Sequence, residues 1–324
     1  MTAGFFGTAL IDIILQDPAE KLEHESVYAA RYHQIFPGGK ALNQAVCAAR
    51  FGVRSFLLAK TGNDEHGNLI QVELEKNNVN TEFMQKDQAL ATGFVVLAPD
   101  KQDYKSLVVS YSASLKLSHF ELQHTLPDFL NANFIVGGLE LSLSLIRKIL
   151  VEAKKRKRTI IIDPYPPEKA DTEILTMADI ITPNRDEGAV ISGRDIKSIF
   201  AAKMAVTEML KMNIKNVCLK LGPDGVVIGN SSGILHLPPV RVQPVDTTGG
   251  GDVFAGVLTS LLVYGYDLKT ACEIANYASA LSVTRYGAFA SIPAPREVME
   301  FMLHRGAEDK LIRIMEDLVA RLEK

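Results

Sequence analysis

The stretch NFIVGGLELSLSLIRKILVEAKKRKRTIIIDP, residues 133–164, sets two apolar runs on either side of a helical pattern. NFIVGGLE (133–140) and TIIIDP (159–164) are short and almost continuously apolar. Strands covered by helices on both faces read this way, because a parallel sheet leaves neither face to water. Between them, SLSLIRKILVEAKKR (142–156) spaces its apolar residues helically and gathers basic residues in its last turn, where the helix dipole favours cations. DIITPN (179–184), NVCLKLG (216–222) and SFLLAKTG (55–62) repeat the strand signature, and a helix is expected at 66–77. The fold class is therefore α/β: a doubly wound, mostly parallel sheet with helices on both faces. Ligands are expected beyond the C-terminal ends of its strands.

Two segments break the alternation. Residues 18–36, PAEKLEHESVYAARYHQIF, are polar and partly alternating, and 92–111, TGFVVLAPDKQDYKSLVVSY, read as two strands around a PDKQD turn. Neither fits a strand–helix–strand unit, so both are assigned to a small antiparallel β-sheet. The large domain is expected at 1–12, 37–91 and 113–324, and the small sheet at 13–36 and 92–112. The opening MTAGFFGTALIDIIL (1–15) lacks a basic leading region and is interrupted by Asp12, so it reads as a first core strand rather than a signal peptide. Near the end, Leu311, Ile314, Met315, Leu318 and Leu322 form one apolar stripe of a helix expected to pack on its own domain.

A 324-residue chain that is 47% hydrophobic can bury a sizeable core. Its 35 basic and 38 acidic residues leave a net charge of −3, which excludes the electrostatic footprint of a nucleic-acid or anionic-membrane binder. Any anionic ligand must be held by local groups. Cys47, Cys218 and Cys272 lie in separate apolar runs without a CxxC pair, as expected for buried, reduced thiols of a cytoplasmic protein. The histidines are scattered, and no HExxH or Cys/His cluster suggests zinc. No apolar run approaches the ~18 residues of a membrane span.

The sharpest chemical signal is VDTTGGGDVFAG (245–256). Val253, Phe254, Val257, Leu258, Leu261 and Leu262 recur at helical spacing, and Gly265 can end that helix. Asp252 thus falls at a helix N-terminus, where free N–H groups and the positive dipole end point forward. Gly249, Gly250 and Gly251 let the backbone form an anion-binding concavity, and a carboxylate beside it can take a proton from an attacking hydroxyl. Spacing alone leaves two readings: a capped helix, or a phosphate cradle with its own base. Three consecutive glycines exceed what a cap needs. No GxxxxGK[ST] occurs, nor a GxGxxG after the first strand, so a nucleotide would bind by another arrangement.

DTTGGGD (246–252) resembles the C-terminal signature DTxGAGD of the ribokinase-like sugar kinases, the phosphofructokinase B family. PGGKALNQAVCAARFG (37–52) resembles that family's N-terminal signature, and TGNDEHG (61–67), GGLE (137–140), TPNRDE (182–187), KLGPDG (220–225) and IANYASALSVTRYGA (274–288) follow in order. The resemblance covers nearly the whole chain apart from about the last twenty residues. It implies Asp252 as the base and Gly249 to Asp252 as the hole for the transferring phosphate. It implies sugar contacts from Asp12, Gly38, Gly39, Lys40, Asn43 and Glu140, and ATP contacts from Asn184, Lys220, Gly222, Gly225 and Asn276. Asn184 and Glu187 would order Mg²⁺ and water. Potassium would lie near Asp246, Thr248, Ser282 and Ser291. The small sheet would be a lid over the sugar, pairing with a second lid in a homodimer.

The match departs at four places. Leu10 stands where ribokinases carry an asparagine, Ala41 where GGKG has its second-last glycine, SAS (112–114) where GAN is usual, and Gly250 where alanine is usual. Lys40 and Gln44 favour ribokinase over fructokinase, whereas Leu10 turns an apolar group toward the substrate. The expected activity is ATP-dependent phosphorylation of a primary hydroxyl of a small sugar, ribose first. A nucleoside or a ketose is the alternative, and a silent sugar-binding regulatory protein the more distant one. A pure binder needs no base.

Overall fold

A computed structural model describes residues 1–16, 20–21, 28–98 and 106–323. Among these, nine strands form one sheet in the order Gly233–Leu237, Val226–Asn230, Val217–Lys220, Ile180–Ile181, Thr159–Ile162, Phe134–Gly137, Thr2–Phe6, Arg54–Leu58, Val79–Asn80. The pairings from Val217–Lys220 onward are parallel. Two antiparallel strands finish the other edge. Apolar side chains on opposite sheet faces feed two separate cores. One packs the helices Lys40–Arg50, Gly250–Val263 and Leu268–Ser282; the other packs His119–Phe129, Leu143–Lys155 and Ile199–Lys211. This is the doubly wound architecture expected from the apolar runs.

The helix expected at 142–156 is Leu143–Lys155, started by Ser142, whose hydroxyl accepts from Leu145 N–H. The C-terminal helix Asp309–Leu322 buries Leu311, Met315, Leu318 and Val319 on the core of its own domain. The thiols of Cys218 and Cys272, 54 residues apart in sequence, meet with their sulfurs 3.4 Å apart in the interior.

The opening segment is not one core strand. Thr2–Phe6 belongs to the large sheet, and Leu10–Gln16 belongs to a second, four-stranded sheet with Ser106–Ser110, Phe94–Ala98 and Tyr32–Gly38. The change of sheet takes place at residues 7–9, where the apolar pattern continues unbroken. The boundaries expected at 12 and 36 therefore fall inside strands. In the small sheet Leu10–Gln16 pairs antiparallel with Tyr32–Gly38 but parallel with Phe94–Ala98, which pairs antiparallel with Ser106–Ser110. The PDKQD turn lies outside the described residues, as do 17–19 and 22–27. Register sets Ile35, Ile13, Val96 and Val108 in one cross-strand row and Phe36, Asp12, Val95 and Val109 in the next, on the opposite face.

Side-chain hydrogen bonds tie the two sheets together. Asp64 accepts from Gly67 N–H at the start of the helix Glu65–Lys76, and also from Thr92 N–H (2.7 Å) and Thr92 Oγ1 (2.6 Å). Ser114 Oγ donates to Ala9 O at 2.8 Å. Among the described residues no helix is long and apolar enough to cross a membrane.

Candidate active site

Three elements converge on one crevice at the C-terminal edge of the parallel strands, where open α/β sheets place their ligands. The helix Gly250–Val263 contributes Asp252 in its first turn, the helix Lys40–Arg50 contributes Lys40, Asn43 and Gln44, and the end of strand Thr159–Ile162 contributes Asp163. Gly249 caps the first of these helices with φ +79°, a conformation that side chains resist. The amides of Asp252 and Val253 both turn back to Gly249 O at 2.9 Å. The forward-facing donors are thus those of the glycine run, and the Asp252 amide, implied as part of the hole, is not among them.

Asp252 is nearly buried, with 6% of its surface exposed. Its Oδ2 accepts from Asn43 Nδ2 at 3.2 Å; its Oδ1 accepts from Gln44 Nε2 and faces Lys40 Nζ, each at 3.3 Å. Asp12 reaches the same crevice from the small sheet. A Cβ at Gly38 would overlap the Asp12 carboxylate, so only glycine fits there. Burial, then the charges of Asp252 and Asp246, push the Asp12 carboxyl up to about 7. Glu140 follows strand Phe134–Gly137 and accepts from Thr8 Oγ1 at 2.6 Å. Burial outweighs that bond and the Lys40 charge, and with Asp252 and Asp163 nearby the Glu140 carboxyl also rises to about 7.

Buried polar atoms are almost always paired, so those that are not point to a missing partner. Asn43 Oδ1, Gln44 Oε1 and Glu140 Oε2 are buried without any hydrogen-bond partner among the described residues. All three come from residues surrounding Asp252. Carboxylates and amides in this arrangement suit a small molecule rich in hydroxyls.

On the other side of Asp252 lie Lys220, at the end of Val217–Lys220, and the turn that follows it. Gly222 and Gly225 shape that turn, which Leu221 N–H closes onto Gly225 O at 2.8 Å. Asn184 and Glu187 close a reciprocal cap at the start of the helix Arg185–Ser192: Asn184 N–H donates to Glu187 Oε2 (2.7 Å), and Glu187 N–H to Asn184 Oδ1 (2.9 Å). Lys220 N–H donates to Pro183 O, which brings this cap beside Lys220. Asp246 joins two loops, accepting from Thr248 N–H and Gly287 N–H at 2.9 Å each. Ser282 and Ser291 are buried and donate to the carbonyls of Ser279 and Ala288. Asn276 stands apart from the carboxylate cluster, donating to Pro238 O at 3.0 Å on the wall of a cleft of about 390 Å³.

Comparison with known proteins decides the family. The description "pfkB family carbohydrate kinase" matches residues 4–295. The chain belongs to that family. It is 28% identical to the ribokinase of Staphylococcus aureus (strain COL) over 275 residues, covering 85% of this chain and 90% of that one. It is 25% identical to the deoxyribokinase of Salmonella typhi over 303 residues, covering 93% and 99%. The structure of Arabidopsis thaliana ribokinase complexed with ribose and ATP superposes with a TM-score of 0.83 at 25% identity, covering 93% of this chain and 98% of that one.

In this carbohydrate kinase, Leu10 lies on the small-sheet strand, 4% exposed, beside Gly93. Sequence reasoning missed Thr8, which fixes one oxygen of Glu140, and above all Asp163. Asp163 is fully buried and holds Lys40 Nζ at 3.1 Å, Gln44 Nε2 at 3.1 Å and Lys220 Nζ at 3.3 Å. Burial pushes its carboxyl up, but the Lys220 and Lys40 ammoniums outweigh that and hold it below the ordinary value. Its one sequence signal is an acid closing an apolar run in TIIIDP.

Proposed function

We propose that this kinase transfers the γ-phosphate of ATP to a primary hydroxyl of a small sugar, ribose first. The observation that carries the reading is the set of orphaned buried oxygens of Asn43, Gln44 and Glu140 around a carboxylate at a glycine-rich helix start. Asp12, Asn43 and Glu140 hold the sugar hydroxyls, with Gly38 and Gly39 letting the backbone come close and Lys40 bordering the same space. Asp252 takes the proton of the attacking hydroxyl. The glycine-run amides from Gly249 to Gly251 hold the transferring phosphate, where fixed donors act most strongly on developing charge. Lys220, Gly222 and Gly225 border the phosphates, and Asn276 lines the nucleotide's far end.

Magnesium suits this donor set only as a sparsely held ion. Asn184 and Glu187 already bind each other, and no cluster of three acidic, histidine or cysteine side chains exists among the described residues. They would hold the ion through water, as Mg²⁺ commonly allows. When bound, it offsets the charge of the nucleotide oxygens. Potassium fits beside the two loops that Asp246 joins, against the carbonyls between Ser282 and Ser291. The small sheet acts as a lid, and two lids pair in a homodimer. The protein works in the cytoplasm.

A second reading, a nucleoside, a ketose or a sugar with one hydroxyl fewer, is favoured by the apolar Leu10. A panel of ribose, deoxyribose, fructose and nucleosides with ATP and Mg²⁺, run with and without K⁺, separates these readings. Ribose is expected to be turned over with the highest kcat/KM. Preference for another member moves the assignment to that compound, and no turnover of any member sinks the kinase reading.

A further inference from the structure

Lys220 and Lys40 approach the crevice from opposite sides, Lys220 at the phosphate end and Lys40 at the sugar end. One carboxylate holds both. Asp163 Oδ1 lies 3.3 Å from Lys220 Nζ, and Oδ2 lies 3.1 Å from Lys40 Nζ. The Lys220 ammonium also rests against the middle of the glycine run: a Cβ built on Gly251 would stand 3.2 Å from it. Lys220 is thus a cation aimed at the hole expected to hold the phosphate, and Asp163 is the carboxylate it pairs with among the described residues.

The same carboxylate acts on the base. Lys40 Nζ and Gln44 Nε2 each lie between Asp163 Oδ2 and Asp252 Oδ1, at 3.1 Å from the former and 3.3 Å from the latter. Without Asp163 both donors would turn wholly to Asp252, and a carboxylate clamped by an ammonium and an amide is a weaker proton acceptor. Two ammoniums left without a shared counter-charge would also repel each other.

We propose that Asp163 is a positioning residue for phosphoryl transfer: it fixes Lys220 against the glycine run to neutralise the moving phosphoryl group, and it draws Lys40 and Gln44 away from Asp252. In the step it serves, the sugar oxygen bonds to the γ-phosphorus and the hydroxyl proton passes to Asp252. The bond from that phosphorus to the bridging oxygen breaks, and its electron pair leaves with the nucleoside diphosphate. Asp163 neither gains nor loses a proton.

The inference rests on the kinase reading, so the wild-type chain is assayed first with ATP, Mg²⁺ and the panel compound it turns over best. Then Asp163→Asn, Lys220→Met and the double variant are compared. For each, kcat, KM for ATP and, by calorimetry, affinity for the sugar are measured; sugar binding also shows that the site is folded. Lys220→Met leaves Asp163 paired with Lys40 and is the variant that keeps its fold. Its kcat is expected to fall by about 10²–10³-fold, the scale for losing one fixed donor at a developing charge, with sugar affinity within about threefold of wild type. Asp163→Asn is expected to lower kcat similarly and to raise KM for ATP, again with sugar affinity little changed. The double variant is expected to lose less than the product of the single losses, because the pair acts as a unit. Near-normal kcat in Lys220→Met, or losses that simply multiply, would overturn the proposal while leaving the kinase standing. A wild type inert toward the whole panel removes both.

Discussion

Asp252 accepts from Asn43, Gln44 and Lys40 through both of its oxygens, so an amide in its place keeps the shape of the site and loses only the proton acceptor. Asp252→Asn is expected to lower turnover by about 10²–10⁴-fold, the usual worth of a general base, with sugar affinity nearly unchanged. Turnover and calorimetric affinity measured on the same preparation check this. Asp12 and Glu140 make a prediction of opposite character. Both carboxyls are buried and lifted to about 7 in the folded chain, whereas in the unfolded chain they ionise near 4. Between these values the folded state holds protons that the unfolded state has released. Their contribution to stability is therefore full below about pH 4 and is lost as pH rises toward 7, on the order of 3 kcal/mol per group. Denaturant unfolding of wild type and Asp12→Asn at pH 5 and pH 8 reads this directly. The variant is expected to gain stability relative to wild type at the higher pH, and an identical pH slope in both proteins would refute the assignment. Asp252 and its glycines were legible because four consecutive residues carry the signal. Asp163 was not, because Gln44 and Lys220 stand 119 and 57 residues away in sequence and only the fold gathers them.

At the scale of elements, helices with a cap and one apolar stripe were readable to within a residue or two. Ser142 before Leu143–Lys155 and the stripe of Asp309–Leu322 are examples. The transition from Thr2–Phe6 to Leu10–Gln16 was not readable, because both strands are apolar and only long-range pairing separates them. The antiparallel edge formed by Val226–Asn230 and Gly233–Leu237 stayed hidden for the same reason: an apolar run does not disclose the direction of its neighbour. The start of Gly250–Val263 is a further point of sensitivity. Gly249 combines φ +79° with a Cβ position only 2.7 Å from the Ala288 side chain. Gly249→Val meets strain and overlap together and is expected to cost about 1–3 kcal/mol of stability while abolishing turnover. Thermal unfolding beside the kinase assay tests it, and an active Gly249→Val enzyme would show that the turn need not keep its shape.

For the whole molecule, the small sheet presents Ile35 and Val108 to solvent at 40% and 61% exposure, in one row with Ile13 and Val96. An apolar row of this kind suits the lid-to-lid dimer proposed above. Val108→Glu is expected to shift the protein to monomers in sedimentation velocity; a wild type that sediments as a monomer, or a variant that stays dimeric, refutes the lid contact. Continuity of the first segment has a larger meaning. Thr2–Phe6 is anchored at the centre of the rigid sheet, and nine residues after its end the chain is already leaving the cover. Asp12 travels on that cover, while Asn43, Glu140 and Asp252 stay with the base plate. Any tilt of the cover therefore withdraws one of the groups that reads the guest's hydroxyls, so that admission, recognition and sealing become a single mechanical event, and an ill-fitting guest that fails to engage Asp12 also fails to pull the door shut.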